Sequence, residues 1–269
     1  MQAYLCETCG VQFSPAPAPP ERCPICQDER QYVNWSGQAW TTLDELSKQH
    51  KNTIKLVEPG LWEISTEPGF AIGQRALLAK TSKGNLLWDC TCLVDQGIVR
   101  TIQEMGGLFA IAISHPHFYS TMVEWSHAFG GIPIYLHSAD AKWVMRPDPS
   151  IKFWSGKTLS LADGLTLIQV GGHFDGSTVL HWAAGAGGQG ALFSGDMPQV
   201  VSDRNYVSFM RSYPNLIPLS ARSVQAIRDN LEGFVYDRLY GGWSGRVIHS
   251  DAQMAITRSA ERYIRAIEN

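Results

Sequence analysis

Three separated groups of residues in this 269-residue chain could together hold a metal ion. His115 and His117 stand two apart, so on an extended segment both project from the same side. His173 follows the apolar run 165–170, and Asp196 follows Ala191-Leu192-Phe193. Zinc accepts imidazole nitrogen and carboxylate oxygen at about 2.0–2.2 Å, and a catalytic site keeps one position open for water. A metal so held would activate water for hydrolysis, with Asp196 either a fourth ligand or the acceptor orienting that water. A His-x-His pair alone is equally a surface or core pair. The two later groups, arriving in order, favour the metal.

A second set is made of thiols. Cys6-x-x-Cys9 and Cys23-x-x-Cys26, with thirteen residues between the pairs, have the spacing of a tetrahedral zinc site. Gly10 and Pro24 suit the tight turns this requires. The segment resembles a zinc ribbon or rubredoxin-like knuckle; iron could occupy the same sulfurs. Two disulfides are the alternative, disfavoured in a reducing compartment. So short a segment cannot build its own apolar core, and a structural metal would supply the missing stability. This predicts a four-cysteine domain over 1–35 and a main domain over 36–269. Cys90 and Cys92 read as buried free thiols.

The elements that must position these groups follow from pattern. Strand-like runs cover 61–65, 75–81 and 85–88, with a turn at Lys83-Gly84-Asn85. A helix over 97–105 is stopped by Gly106-Gly107, and the apolar strand 108–113 then delivers His115 and His117 at its end. A helix over 119–129, a strand over 132–136 and a short helix over 138–144 complete the first half. In the second, strands 165–170, 177–183 and 190–193 lead to His173 and Asp196, and helices over 220–231 and 251–267 close the chain. A capped helix start at Thr42-Leu43-Asp44-Glu45 connects the two expected domains. The segments 147–154 and 202–218 carry no interpretable motif.

These residues resemble the metallo-β-lactamase superfamily, from about Leu56 to the C-terminus. The first two histidines of its His-x-His-x-Asp-His motif match His115 and His117; Gly172 to Ser177 match its Gly-His-x-x-Gly-Ser element, and Gly195-Asp196 its Gly-Asp element. The resemblance implies an α/β (α+β) fold, a four-layer αββα sandwich, carrying here a small N-terminal zinc ribbon. It also implies metal ligation by His115, His117, His173 and Asp196. Three groups depart from it. Tyr119 replaces the motif aspartate, Ser120 its last histidine, and Trp243 stands in the loop 240–245 where a late histidine is expected. These are the groups that would hold a second metal, so one metal is expected, Zn²⁺ or Fe.

Three functions follow. The first is a zinc-dependent hydrolase of an ester, lactone, thioester or amide-type bond, with Asp196 and Tyr119 as catalytic groups. The second is a mononuclear iron persulfide-dioxygenase-like enzyme drawing a two-histidine, one-carboxylate set from His115, His173 and Asp196. The third is a catalytically weakened metal-binding or interaction module. Asp89 could be an acceptor fixing a ligand histidine, Asp175 could hold a water, and His249 could substitute for the late histidine. His50, His127, His137 and His181 have no spacing that singles them out.

Bulk properties bound the rest. Hydrophobic content of 44% and charged content of 17% fit a soluble globular protein, and a net charge of −3 gives no footprint for nucleic acid. Apolar runs such as 108–113 are too short to span a membrane, and no signal peptide is visible, so a cytoplasmic location is expected. The expected partners are a small-molecule substrate and, as a common default, a second copy in a homodimer.

Overall fold

The computed structural model describes residues 1–268; Asn269, the last residue of the second expected domain, lies outside them. The chain opens with β1 (Leu5–Cys6), which pairs antiparallel with β2 (Trp40–Thr41). The four-cysteine segment is therefore closed by residues beyond position 35.

A seven-stranded sheet follows in simple chain order: β3 (Lys51–Glu58), β4 (Leu61–Glu67), β5 (Ala76–Thr81), β6 (Gly84–Trp88), β7 (Leu108–Ala112), β8 (Ile134–His137) and β9 (Ile151–Trp154). Its first four strands are antiparallel neighbours and its last four run parallel. The second sheet joins β10 (Thr158–Ala162), β11 (Leu165–Gln169), β12 (Thr178–Trp182) and β13 (Ala191–Phe193). Two short hairpins intervene, β14 (Gln199–Val200) with β15 (Val207–Ser208) and β16 (Met210–Ser212) with β17 (Ile217–Pro218). Then β18 (Arg238–Tyr240), parallel to β13, and β19 (Val247–Ile248) complete the sheet.

Alternation along the strands builds the layers. Leu77, Ala79, Leu86, Trp88, Ala110 and Ala112 face the second sheet, packing on Leu165, Leu167, Leu180 and Phe193. Their neighbours Ala76, Leu78, Leu87 and Ile111 face the helices Gln96–Glu104 and Met122–Ala128. On the other side Ile168, Val179, Leu192 and Leu239 pack under the helices Ala221–Asn230 and Ala252–Glu268. A strand buried on both faces reads as a continuous apolar run, which is how β7 appears in the sequence. The result is the αββα sandwich.

Cys6, Cys9, Cys23 and Cys26 are buried in the same apolar cluster as Ile111, Ile113 and Trp125. The thiol segment thus covers the helix side of the first sheet.

Several local expectations are corrected. The helix expected from Tyr119 begins at Met122, after a single 3-10 turn at Pro116–Phe118. The helix after Thr42 is one turn, Leu43–Leu46, although Thr42 does cap it by accepting the Glu45 N–H. The segments 147–154 and 202–218, read as loops, hold strands: β9 in the first and β15, β16 and β17 in the second. Among the described residues, no helix is long and apolar enough to cross a membrane.

Candidate metal centre

His115 and His117 leave the carboxyl end of β7, His173 follows β11, and Asp196 follows β13. Side chains just past strand ends sit on rigid supports. The two sheets therefore contribute two ligands each. Gly195 permits the approach: a Cβ there would stand 2.4 Å from Ser114 Oγ and 2.9 Å from His115 Nδ1.

The four side chains converge. Asp196 Oδ2 lies 3.3 Å from His115 Nε2, 3.9 Å from His117 Nδ1 and 3.5 Å from His173 Nε2. His173 Nε2 and His117 Nδ1 are 3.2 Å apart. A tetrahedron with 2.0–2.1 Å bonds has edges of about 3.3–3.4 Å. These four atoms therefore fit a single small cation. His115 Nε2, which faces the other ligand atoms, has no hydrogen-bond partner although buried. The sulfurs fit a second cation: Cys6 and Cys26 are 3.5 Å apart and Cys9 and Cys23 3.7 Å, against about 3.8 Å for a tetrahedron with 2.3 Å bonds.

Electrostatics favour ligation. Burial pushes the imidazoles of His117 and His173 below their ordinary value, so both stand neutral with a lone pair available. Burial raises the Asp196 carboxyl, but the imidazoles of His115 and His117 close beside it outweigh burial and hold the group well below the usual carboxylate range. Its second oxygen, Oδ1, accepts from Gln199 Nε2 at 2.9 Å. The Ser114 hydroxyl meets His115 Nδ1 at 2.9 Å and orients the ring so that Nε2 points at Asp196. Asp89 acts on this segment through Ser114, whose backbone N–H it accepts at 2.8 Å; burial pushes its carboxyl up to about 7.

The other expected residues lie as follows. Tyr119 is buried two residues beyond His117, and burial together with the Asp140 charge pushes its phenol well up. Ser120 Oγ accepts from Gln74 Nε2 at 3.0 Å and touches Cys92 Sγ at 3.0 Å. Trp243 donates its indole N–H to Ile72 O and sets its ring against Phe118. His249 is exposed and joins nothing at the centre. His127 pairs with Asp148, His137 with Gly156 O, His181 with Val235 O and His50 with Pro68 O, all away from it. Cys90 and Cys92 are buried free thiols.

Sequence reasoning missed Ser114, Gln199 and Arg30. The first two neighbour ligands in the chain, which is a usable signal. Arg30 has none: its Nη1 donates to His173 O at 3.2 Å, across 143 positions. The guanidinium lies 4.0 Å over the Phe174 ring, which itself stands against the rings of His117 and His173 at 4.9 and 5.0 Å. The centre is closed: the three histidines are 1–3% exposed and Asp196 6%.

Asp140 is buried beside the His173 loop and accepts the Gly176 N–H at 3.0 Å. Burial pushes its carboxyl up to about 6. The folded state thus binds its proton more tightly than the unfolded chain, where the pKa is about 3.9, and stability is lost as pH rises across that window. In metal-free protein, Asp140→Asn should gain on wild type between about pH 4 and about pH 6, by ~3 kcal/mol at the upper end. Denaturant titrations at several pH values read this, and a stability gap that ignores pH would contradict it.

No family model matches the chain. It is 48% identical over 271 residues to an uncharacterized protein of Bacillus subtilis (strain 168), YmaE, covering 100% of this chain and 98% of that one. Among solved structures it is similar to the DIM-1 metallo-β-lactamase, with a TM-score of 0.59 at 16% identity over 81% of this chain and 98% of that one. It is likewise similar to a metallo-β-lactamase from Erythrobacter litoralis, with a TM-score of 0.57 at 16% identity over 78% and 96%. The fold is that of the metallo-β-lactamases.

Proposed function

We propose that this chain, which belongs to the same family as YmaE of Bacillus subtilis, is a hydrolase-like protein that works with one metal, Zn²⁺, at the His/Asp centre. The observation carrying the proposal is the near-tetrahedral spacing of His115 Nε2, His117 Nδ1, His173 Nε2 and Asp196 Oδ2. Four convergent ligand atoms suit zinc better than a two-histidine, one-carboxylate iron site, which needs several open positions. When bound, zinc supplies Lewis acidity to a carbonyl and eases the ionisation of water.

The remaining chemistry belongs to the chain. Ser114 orients the ring of His115, and the rings of His117 and His173, neutral through burial, each have a lone pair to offer. Asp196, the most exposed of the four and the only anion, is either the fourth ligand or the hydrogen-bond acceptor that orients a water. Gln199 holds its other oxygen. Tyr119, kept protonated by burial, is the candidate donor to a leaving group. Phe174 shields the rings from bulk water. The substrate class is an ester, lactone, thioester or amide.

The burial of all four ligands favours a second reading, a metal-holding module without turnover. One experiment separates the two. Purified protein is analysed for zinc and assayed on a panel of small esters and lactones, before and after chelation. Turnover lost on chelation and restored by one equivalent of zinc supports the hydrolase. Bound zinc with no turnover on any substrate supports the holding module, and protein that takes up no metal beyond the cysteine site ends both.

A further inference from the structure

The four-cysteine segment touches the segments that support the His/Asp centre at three places. At the first, the Gln12 N–H bonds to Ser120 O at 3.1 Å, three residues from His117. Gly10, at φ +78°, lies so close that a Cβ would stand 2.3 Å from Cys92 Sγ. At the second, Arg30 is 7% exposed and held by a two-point bond to Asp28, Nε to Oδ1 at 2.5 Å and Nη2 to Oδ2 at 2.9 Å. Its free Nη1 reaches His173 O, and its face covers Phe174. At the third, Ser212 Oγ donates to Arg30 O, and Asn215 Nδ2 donates to Glu29 O and Gln31 O. Tyr213, between them, donates to Asp196 O at 3.0 Å.

Arg30 lies only four residues past Cys26, so the thiolate cluster fixes its position. The contacts reach the loops of His117, His173 and Asp196, drawn from both halves of the sandwich. We infer that the four-cysteine segment is a strut for the His/Asp centre, with Arg30 as its positioning residue, so that metal held by the thiolates tightens metal binding by the histidines. The inference rests on the His/Asp centre binding a metal, as proposed above. Its physical content is a coupling between two sites, and such coupling is reciprocal. Arg30 supplies it because a planar fork can hold Asp28 and the His173 carbonyl together while stacking on a ring; an ammonium cannot do all three.

The test uses the full-length protein loaded with Co²⁺, whose thiolate charge-transfer bands report the cysteines and whose weaker visible bands report the His/Asp centre. Arg30→Met keeps the apolar stem and removes the fork. It should keep the thiolate bands but release cobalt from the His/Asp centre to a chelator about 10–100-fold faster, the usual range for a lost ligand-supporting contact. Arg30→Lys should fall between Met and wild type, and serves as the informative variant should Arg30→Met fail to fold. In wild type, stripping the thiolate cobalt with a mercurial should produce the same acceleration. Release rates and visible bands unchanged in the variants and after stripping would overturn the strut while leaving the proposed centre intact. Wild type that binds only thiolate cobalt would overturn both.

Discussion

Replacing His173 by alanine should weaken metal binding at the proposed His/Asp centre and leave the four-cysteine site unaffected. Its Nε2 is 3.5 Å from Asp196 Oδ2 and 3.2 Å from His117 Nδ1, so it occupies a corner shared with two other ligands. Structural zinc sites bind with ~10–16 kcal/mol in total, about 2.5–4 kcal/mol per ligand of four. Affinity should therefore fall by roughly 10²–10³-fold. The loop should keep its place, because Arg30 bonds the backbone carbonyl of residue 173 and not the ring. Metal analysis and chelator competition measure the loss, and any hydrolytic turnover should fall to the chelated background. A His173→Ala protein that still holds two equivalents at wild-type affinity would remove His173 from the centre.

Replacing Cys23 by serine should weaken the whole protein. Cys23 is fully buried among Val11, Ile25 and Ile113 and faces Cys9 at 3.7 Å. Loss of one thiolate costs the same order of binding energy, ~3 kcal/mol, and metal binding here is also folding energy. Serine additionally leaves a hydroxyl in an apolar cluster, at about 1–3 kcal/mol if unpaired. Together these should lower the melting temperature by roughly 10 °C in a domain of this size. Melting followed by circular dichroism and by tryptophan fluorescence should shift together, since the cysteines share a core with the first sheet. A shift confined to residues near the thiolates, with the main transition unmoved, would mean the segment folds apart from the sandwich.

The candidate ligands were legible because chemistry and local pattern coincide in them. His115 and His117 end an apolar strand, and the Cys-x-x-Cys pairs declare their own geometry. Strands β4 to β7 were legible as apolar runs bounded by turn residues. Strand β3 was not: Lys51, Lys55 and Leu56 face solvent at the edge of the sheet, so no apolar alternation marks it. Helix Met122–Ala128 was placed three residues early because Tyr119 looks like a first-turn residue, whereas its segment is a 3-10 turn that aims His117 inward. Arg30 was invisible because its role depends on the His173 carbonyl and the Phe174 ring, which only the folded chain brings near. Long-range contacts of this kind leave no period to detect.

The division of ligands along the chain has a consequence for how the protein is assembled. All four sulfurs exist once Cys26 has been synthesised, whereas the imidazole and carboxylate set is incomplete until Asp196 emerges. Chains fold from the N-terminal side as they are made. On the proposed pair of sites, a nascent polypeptide should therefore meet a thiophilic ion long before its harder ligands can compete for one, so that loading order would follow translation order.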